Sequence, residues 1–251
     1  MINQERLVNE FMELVQVDSE TKFEAEICKV LTKKFTDLGV EVFEDDTMAV
    51  TGHGAGNLIC TLPATKDGVD TIYFTSHMDT VVPGNGIKPS IKDGYIVSDG
   101  TTILGADDKA GLASMFEAIR VLKEKNIPHG TIEFIITVGE ESGLVGAKAL
   151  DRERITAKYG YALDSDGKVG EIVVAAPTQA KVNAIIRGKT AHAGVAPEKA
   201  YLQLRSQRKQ LRRCHLVVLI LKQLQILDVL KVVHKRISFA IMYKSLQKRV
   251  L

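Results

Sequence analysis

The chain predicts a layered α/β fold on three observations: two amphipathic helical stretches at the start, five short apolar runs of strand length, and a further helical stretch between the third and fourth runs. Leu7, Val8, Phe11, Met12, Leu14 and Val15 recur at helical spacing, as do Phe23, Ile27, Val30, Leu31, Phe35 and Leu38, and Gly39 follows as a C-terminal cap. The apolar runs are Val40–Phe43, Asn57–Leu62, Thr71–Thr75, Thr131–Val138 and Tyr159–Leu163, and Ala110–Leu122 reads as the intervening helix. In such sheets ligands gather beyond the carboxyl ends of strands, so the residues closing each run carry the functional information.

At 251 residues, 45% apolar and 25% charged, the composition is that of a soluble globular protein with one large domain or two small ones. Glu5, Glu10, Glu13, Asp18 and Glu20 interrupt the opening segment, which argues against a signal peptide or a membrane span there and makes the cytoplasm the expected compartment. Cys28, Cys60 and Cys214 match neither a disulfide framework nor a paired-cysteine zinc site, so they read as buried or incidental thiols.

The net charge of +2 hides a break in composition. Residues 199–251 carry 13 of the 33 Lys and Arg but a single acid, Asp228, and all 20 glycines and all 6 prolines lie before them. A domain needs turn residues throughout its length, so this tail is a different kind of sequence.

Three strand ends and one helix entry are acidic or carry histidine. The run from Thr71 closes on His77-Met78-Asp79; in an extended chain a spacing of two puts both side chains on one face, where a carboxylate can orient an imidazole destined for a metal. Alone, the pair equally reads as a surface histidine beside a solvated acid. Gly105-Ala106-Asp107-Asp108-Lys109-Ala110-Gly111 runs into a helix, where acids also act as caps worth about 0.3–1 kcal/mol. Thr131–Val138 closes on Gly139-Glu140-Glu141-Ser142-Gly143, either a solvated loop or two glutamates dividing labour, one ligating a metal and one taking a proton. The run from Tyr159 closes on Asp164. As a set, imidazole and carboxylates without thiolates suit zinc, manganese or cobalt in a hydrolytic site, and Asp107 is the candidate to bridge a metal pair. His53 and His129 match no motif and read as surface residues.

With Ser76-His77-Met78-Asp79-Thr80, Gly105–Gly111, Gly139–Gly143, Leu163-Asp164 and Gly188-Lys189-Thr190-Ala191-His192-Ala193-Gly194 in this order, the chain resembles the di-zinc co-catalytic metallopeptidases, and looks most like peptidase T. The resemblance covers residues 1 to about 198. It implies an α/β/α catalytic domain with a central mixed sheet, incomplete here (residues 1–177), followed by the start of a small α+β lid (residues 178–199). It implies that His77, Asp107 and Asp164 hold one Zn2+, that Asp107 bridges to a second held by Glu141, that Asp79 orients His77, and that Glu140 is the general base. The Asp107–Asp108 peptide would be cis. His192 would reach the partner subunit's active site in a homodimer formed through the lid and stabilise the oxyanion there. The implied activity is release of the N-terminal residue from short peptides, with hydrolysis of N-acyl amino acids on the same fold as the alternative.

Two departures qualify the resemblance. In such peptidases the catalytic domain resumes after the lid and supplies a final His ligand; His215 and His234 lie in the anomalous tail, in surroundings unlike that ligand's, so the second zinc site is incomplete and an inactive truncated fragment is a further reading. The tail, residues 200–251, can be a basic nucleic-acid or membrane patch at Lys209–Arg213 and Lys235-Arg236, a helix with a solvated basic face, or coding DNA read in the wrong frame. The shifted frame is the preferred reading, because restoring one base near codon 200 permits a sequence with glycines, an apolar-periodic helix and a Gly-Gly turn. No nucleic-acid or membrane partner is therefore expected.

Overall fold

A computed structural model describes residues 2–165, 167–175, 179–185 and 236–242. By internal contacts the chain divides into Met1–Gly167 and Lys168–Leu251. The first unit opens with α1 (Gln4–Val15) and α2 (Ala25–Asp37), continues through β1 (Glu41–Glu44), α3 (Thr47–Thr51), β2 (Leu58–Leu62), β3 (Ile72–His77), the hairpin β4 (Ser90–Lys92) and β5 (Tyr95–Val97), and α4 (Ala106–Glu124), then closes with β6 (Ile132–Thr137), α5 (Val145–Ala149), a 3-10 turn at Arg152–Arg154 and β7 (Tyr159–Ala162). In the second unit β8 (Gln179–Ile185) and β9 (Arg236–Met242) form an antiparallel pair, in register from Gln179 opposite Met242 to Ile185 opposite Arg236.

The five-stranded sheet has the order β1-β2-β6-β3-β7. β1 and β2 run antiparallel to their neighbours, whereas β6, β3 and β7 are mutually parallel, which makes the sheet mixed, as the sequence predicts. β6 is buried along its whole length, in keeping with its largely apolar run and central place. Side chains alternate across it. Phe134 meets Phe35 of α2 at 5.6 Å between ring centroids, and Phe35 in turn meets Phe116 of α4 at 4.6 Å, so these rings join sheet and helices in one core. Glu133, the one acid in the strand, points the other way and is buried; its carboxylate accepts bonds from the Thr156 amide and hydroxyl and from the Ala157 amide, which anchors the approach to β7.

Asn3 caps α1 by accepting from the Arg6 amide, and Arg6 reaches across to Glu117 and Glu124 of α4, with its Nε 2.7 Å from the nearly buried Glu117 carboxylate. The regular part of α4 starts after Asp107 and Asp108, which have non-helical backbone angles and are joined by a cis peptide bond. α3, α5, the β4–β5 hairpin and the 3-10 turn have no counterpart in the sequence reading, because segments of three to five residues are too short to show a period. Cys28 and Cys60 are buried free thiols. No helix among the described residues is long and apolar enough to cross a membrane.

Strand direction places the functional end of the sheet. The parallel strands β3 and β6 finish level, His77 opposite Thr137, and β7 finishes close by, Ala162 opposite Thr75. Because β2 is antiparallel to β6, with Leu58 opposite Ile136, its N-terminal flank arrives at that same end. Asn57, fully buried in this flank, donates Nδ2 to Asp45, Thr47 and the Gly146 carbonyl and accepts the Val138 amide on Oδ1 at 3.1 Å. Replacing it should leave several buried groups unpaired at once. Asn57→Ala is expected to lower unfolding free energy by about 2–4 kcal/mol, read from the midpoint of urea denaturation.

Candidate metal centre

Each site residue follows the carboxyl end of a parallel strand or enters α4. His77 closes β3 and is 1% exposed, so its imidazole has few options for rotation. Its Nδ1 is 2.9 Å from the Asp79 backbone carbonyl and 3.5 Å from the Asp79 carboxylate. With a proton held on Nδ1 by these acceptors, Nε2 faces the open end of the sheet, 2.9 Å from Asp107 Oδ1 and 3.8 Å from Asp164 Oδ2.

Asp79 is fully buried and does more than face the imidazole. Its Oδ1 accepts the Glu140 amide at 3.0 Å and its Oδ2 the Glu141 amide at 3.2 Å, so one carboxylate fixes both the β3 exit and the turn after β6. The same turn closes on itself, the Gly143 and Leu144 amides donating to the Glu140 carbonyl at 2.8 Å. From the other side the buried Lys109 ammonium donates to the Met78 carbonyl at 2.7 Å and to Ser19 Oγ at 2.9 Å, holding the β3 exit against α4.

Electrostatics at the site favour a cation. Burial alone would lower the basicity of His77, but its bonds to Asp79 and Asp107 outweigh this and push it up to about 9. Burial works against the charged form of Asp79 too, yet contact with His77 and the Glu140 amide holds it below the ordinary carboxylate range. Glu140 and Glu141 are raised by burial and by the surrounding carboxylates, which for both include Asp107 and Asp79. Asp108, buried at the mouth of α4, is pushed up to about 7 by burial, with Asp164 adding to the shift, and its Oδ2 is buried with no hydrogen-bond partner among the described residues. Carboxylates that raise one another in this way around an imidazole form a donor set a divalent cation would satisfy.

Two groups of donors converge, with ligand atoms within 4.8 Å of one another: His77, Asp107 and Asp164, and His77, Glu140 and Glu141. The six residues expected at the centre of the site, His77, Asp79, Asp107, Glu140, Glu141 and Asp164, thus lie together at one end of the sheet. His192 lies outside the described residues. The expectation that His53 is a surface residue is overturned: it is 6% exposed, with Nε2 3.0 Å from Ser142 Oγ beside the two glutamates, because antiparallel β2 carries its flank to this end of the sheet. His129 is half-buried rather than exposed, its Nδ1 2.7 Å from the Gly130 carbonyl. Neither His53 nor Asn57 carries a local signal, since neither closes an apolar run nor opens a helix.

The sequence profile of peptidase family M20/M25/M40 matches residues 73–219. Over 199 residues the chain is 79% identical to "Uncharacterized protein YqjE" of Bacillus subtilis (strain 168), an alignment covering 79% of this chain and 53% of that protein. It is 31% identical over 235 residues to peptidase T of Escherichia coli O1:K1 / APEC, covering 76% of this chain and 55% of that one. The crystal structure of a tripeptidase (SAV1512) from Staphylococcus aureus subsp. aureus Mu50 superposes with a TM-score of 0.73 at 57% identity, over 79% of this chain and 53% of that one. Aminoacylhistidine dipeptidase from Vibrio alginolyticus superposes with a TM-score of 0.59 at 25% identity, over 77% and 40% of the two chains. The chain thus spans about half the length of the curated relatives it matches. A profile match across more than half of the chain, containing the whole acidic end of the sheet, makes it a member of peptidase family M20/M25/M40.

Proposed function

We propose that this chain carries the N-terminal metal-binding half of a cytoplasmic zinc aminopeptidase that releases the N-terminal residue of short peptides, tripeptides above all. The observation that carries the reading is the convergence of Asp107, Asp164, Glu140 and Glu141 on the single imidazole of His77. Similarity to peptidase T and to the staphylococcal tripeptidase supports the substrate class. The lid would begin at residues 178–199, and through it the protein would form a homodimer in which His192 reaches the partner's substrate.

His77, Asp107 and Asp164 would hold one Zn2+, and Glu141 with Asp107 a second. Cations bound there would supply the polarisation of the scissile carbonyl and the acidification of water that amide hydrolysis at neutral pH requires. Asp79 keeps a His77 proton on Nδ1, so that Nε2 is the nitrogen that would meet a cation. Glu140 accepts the proton of the attacking water on its carboxylate and passes it to the departing amine nitrogen; its raised affinity for protons suits both transfers.

Calorimetric titration with Zn2+ tests the centre, and His77→Ala should abolish binding. Because His77 titrates at about 9, a cation at Nε2 must displace a proton below that pH. Zinc affinity should therefore rise with pH below about 9 and level off there; a flat profile from about pH 6 to 8 would mean that Nε2 holds no proton to displace, and loss of binding in His77→Ala decides whether His77 is a ligand.

Catalysis is tested with a panel of tripeptides against N-acyl amino acids. Glu140→Gln should reduce tripeptide turnover by about 100-fold or more while zinc still binds. Preference for the N-acyl amino acids would replace the aminopeptidase reading with a deacylase one.

The segment 200–251 is assigned to a shifted reading frame. The 199-residue length of the match to the Bacillus subtilis protein, within one of the 198 residues before the change in composition, supports this. Coding DNA read onward from about codon 195 should open, on restoring one base, into a frame that reaches a downstream His codon. A confirmed frame as written would make the basic tail authentic.

A further inference from the structure

The turn that presents Glu140 and Glu141 is tied down by Asp79, by Asn57 and by Lys148, whose ammonium donates to the Gly143 carbonyl at 2.8 Å. Ser142 adds a further tie. Its hydroxyl donates to the Gly139 carbonyl at 3.0 Å, closing the turn from inside. A hydroxyl has one hydrogen, so the 3.0 Å contact between Ser142 Oγ and His53 Nε2 must be donated by the imidazole. The ring thus presents an Nε2–H to Ser142, with Nδ1 buried and bare of any partner among the described residues. The ring also fills the space over Gly139, which has a φ of +57°; a Cβ there would run into His53 and Ser142 Oγ. His53 itself is seated by its own amide, which donates to Thr51 Oγ1 at 3.3 Å, and by the next residue, Gly54, whose amide donates to Glu24 at 2.8 Å.

We infer that His53 is a positioning residue for the Glu140–Glu141 pair, acting through the Ser142 hydroxyl. It touches neither carboxylate. It sets the path of the backbone from Gly139 to Gly143, and so fixes where the two carboxylates stand relative to His77. The consequence for metal binding rests on the reading of Glu141 as a ligand given above; the consequence for the turn does not.

Hydrogen–deuterium exchange of the full 251-residue chain without added metal reads the turn directly. His53→Leu keeps the bulk and removes the donor; His53→Gln returns a donor near the position of Nε2. In the Leu variant the amides from Glu140 to Leu144 should exchange about fivefold faster, with exchange in α2 and α4 unchanged, and Gln should restore most of the protection. Ser142→Ala, which deletes one oxygen, should reproduce the effect, and adding His53→Leu to it should change little more. Unchanged exchange in the turn, or failure of Gln to restore it, overturns the inference. Should the Leu variant fail to fold, His53→Phe takes its place, because Ser142→Ala also deletes the bond to Gly139; unchanged exchange in the turn then overturns the inference.

Zn2+ titration of the same proteins separates the two claims. With the unsubstituted chain binding zinc, His53→Leu should bind about tenfold more weakly, and equal affinity overturns the link between His53 and the centre. An unsubstituted chain that binds no zinc refutes the reading of the centre, while the exchange data still judge the role of His53 in the turn.

Discussion

One buried carboxylate organises the active end of this sheet. Asp79 has left the water entirely, which for an anion is tolerable only when its lone pairs are taken up by donors. The donors are the consecutive amides of Glu140 and Glu141, with the His77 ring against the same group. Bonds to an ionised acceptor are the strong kind, about 1.5–3 kcal/mol each. The single side chain therefore couples two strand exits that are about sixty residues apart in sequence and makes the position of one depend on the other. Lys109 completes the arrangement. Its ammonium, pushed down to about 8 by burial, sits on the Met78 carbonyl, adds positive charge near Asp79, and clamps the same exit to α4.

Everything beyond that clamp is arranged against stability. Asp107 and Asp164 are held near one imidazole, and Glu140 and Glu141 each acquire protons more readily than they would in water because they are partly buried and their neighbours are also acids. A fold has no structural use for such repulsion, and it is tolerated at the end of a sheet whose interior, from Phe35 through Phe116 to Phe134, is conventionally packed. Separation of tasks follows from depth: the apolar layers supply cohesion, the buried polar groups Asp79, Asn57 and Lys109 supply position, and the partly exposed carboxylates supply chemistry.

Much of this was legible from residue order. His77, Asp107, Glu140 and Asp164 announce themselves because each ends an apolar run or opens a helix, and in an α/β sheet the strand ends converge whatever the details of packing. The two first helices and the five runs of the central sheet were visible for the same reason, a period that burial imposes. His53 was not visible. Its neighbours form no motif, and its burial depends on β2 running antiparallel to β6, a choice of strand direction that no local pattern encodes. Asn57 sits at the head of a recognised run, but its four hydrogen bonds go to residues on three other segments, so its role exists only once those segments meet.

By itself, the sequence determined the fold class, the acidic character of the strand ends and the identity of the residues that face one another there, because apolar period and the side chains that interrupt it are local properties. Tertiary structure alone decided how those residues are held. The pairing of β2 against β6 brought His53 and Asn57 under the Glu140–Glu141 turn, and the burial of Asp79 between two strand exits gave its carboxylate to the backbone amides as much as to the imidazole. Hydrogen bonds between segments distant in the chain depend on direction and depth, and neither exists until the sheet has formed.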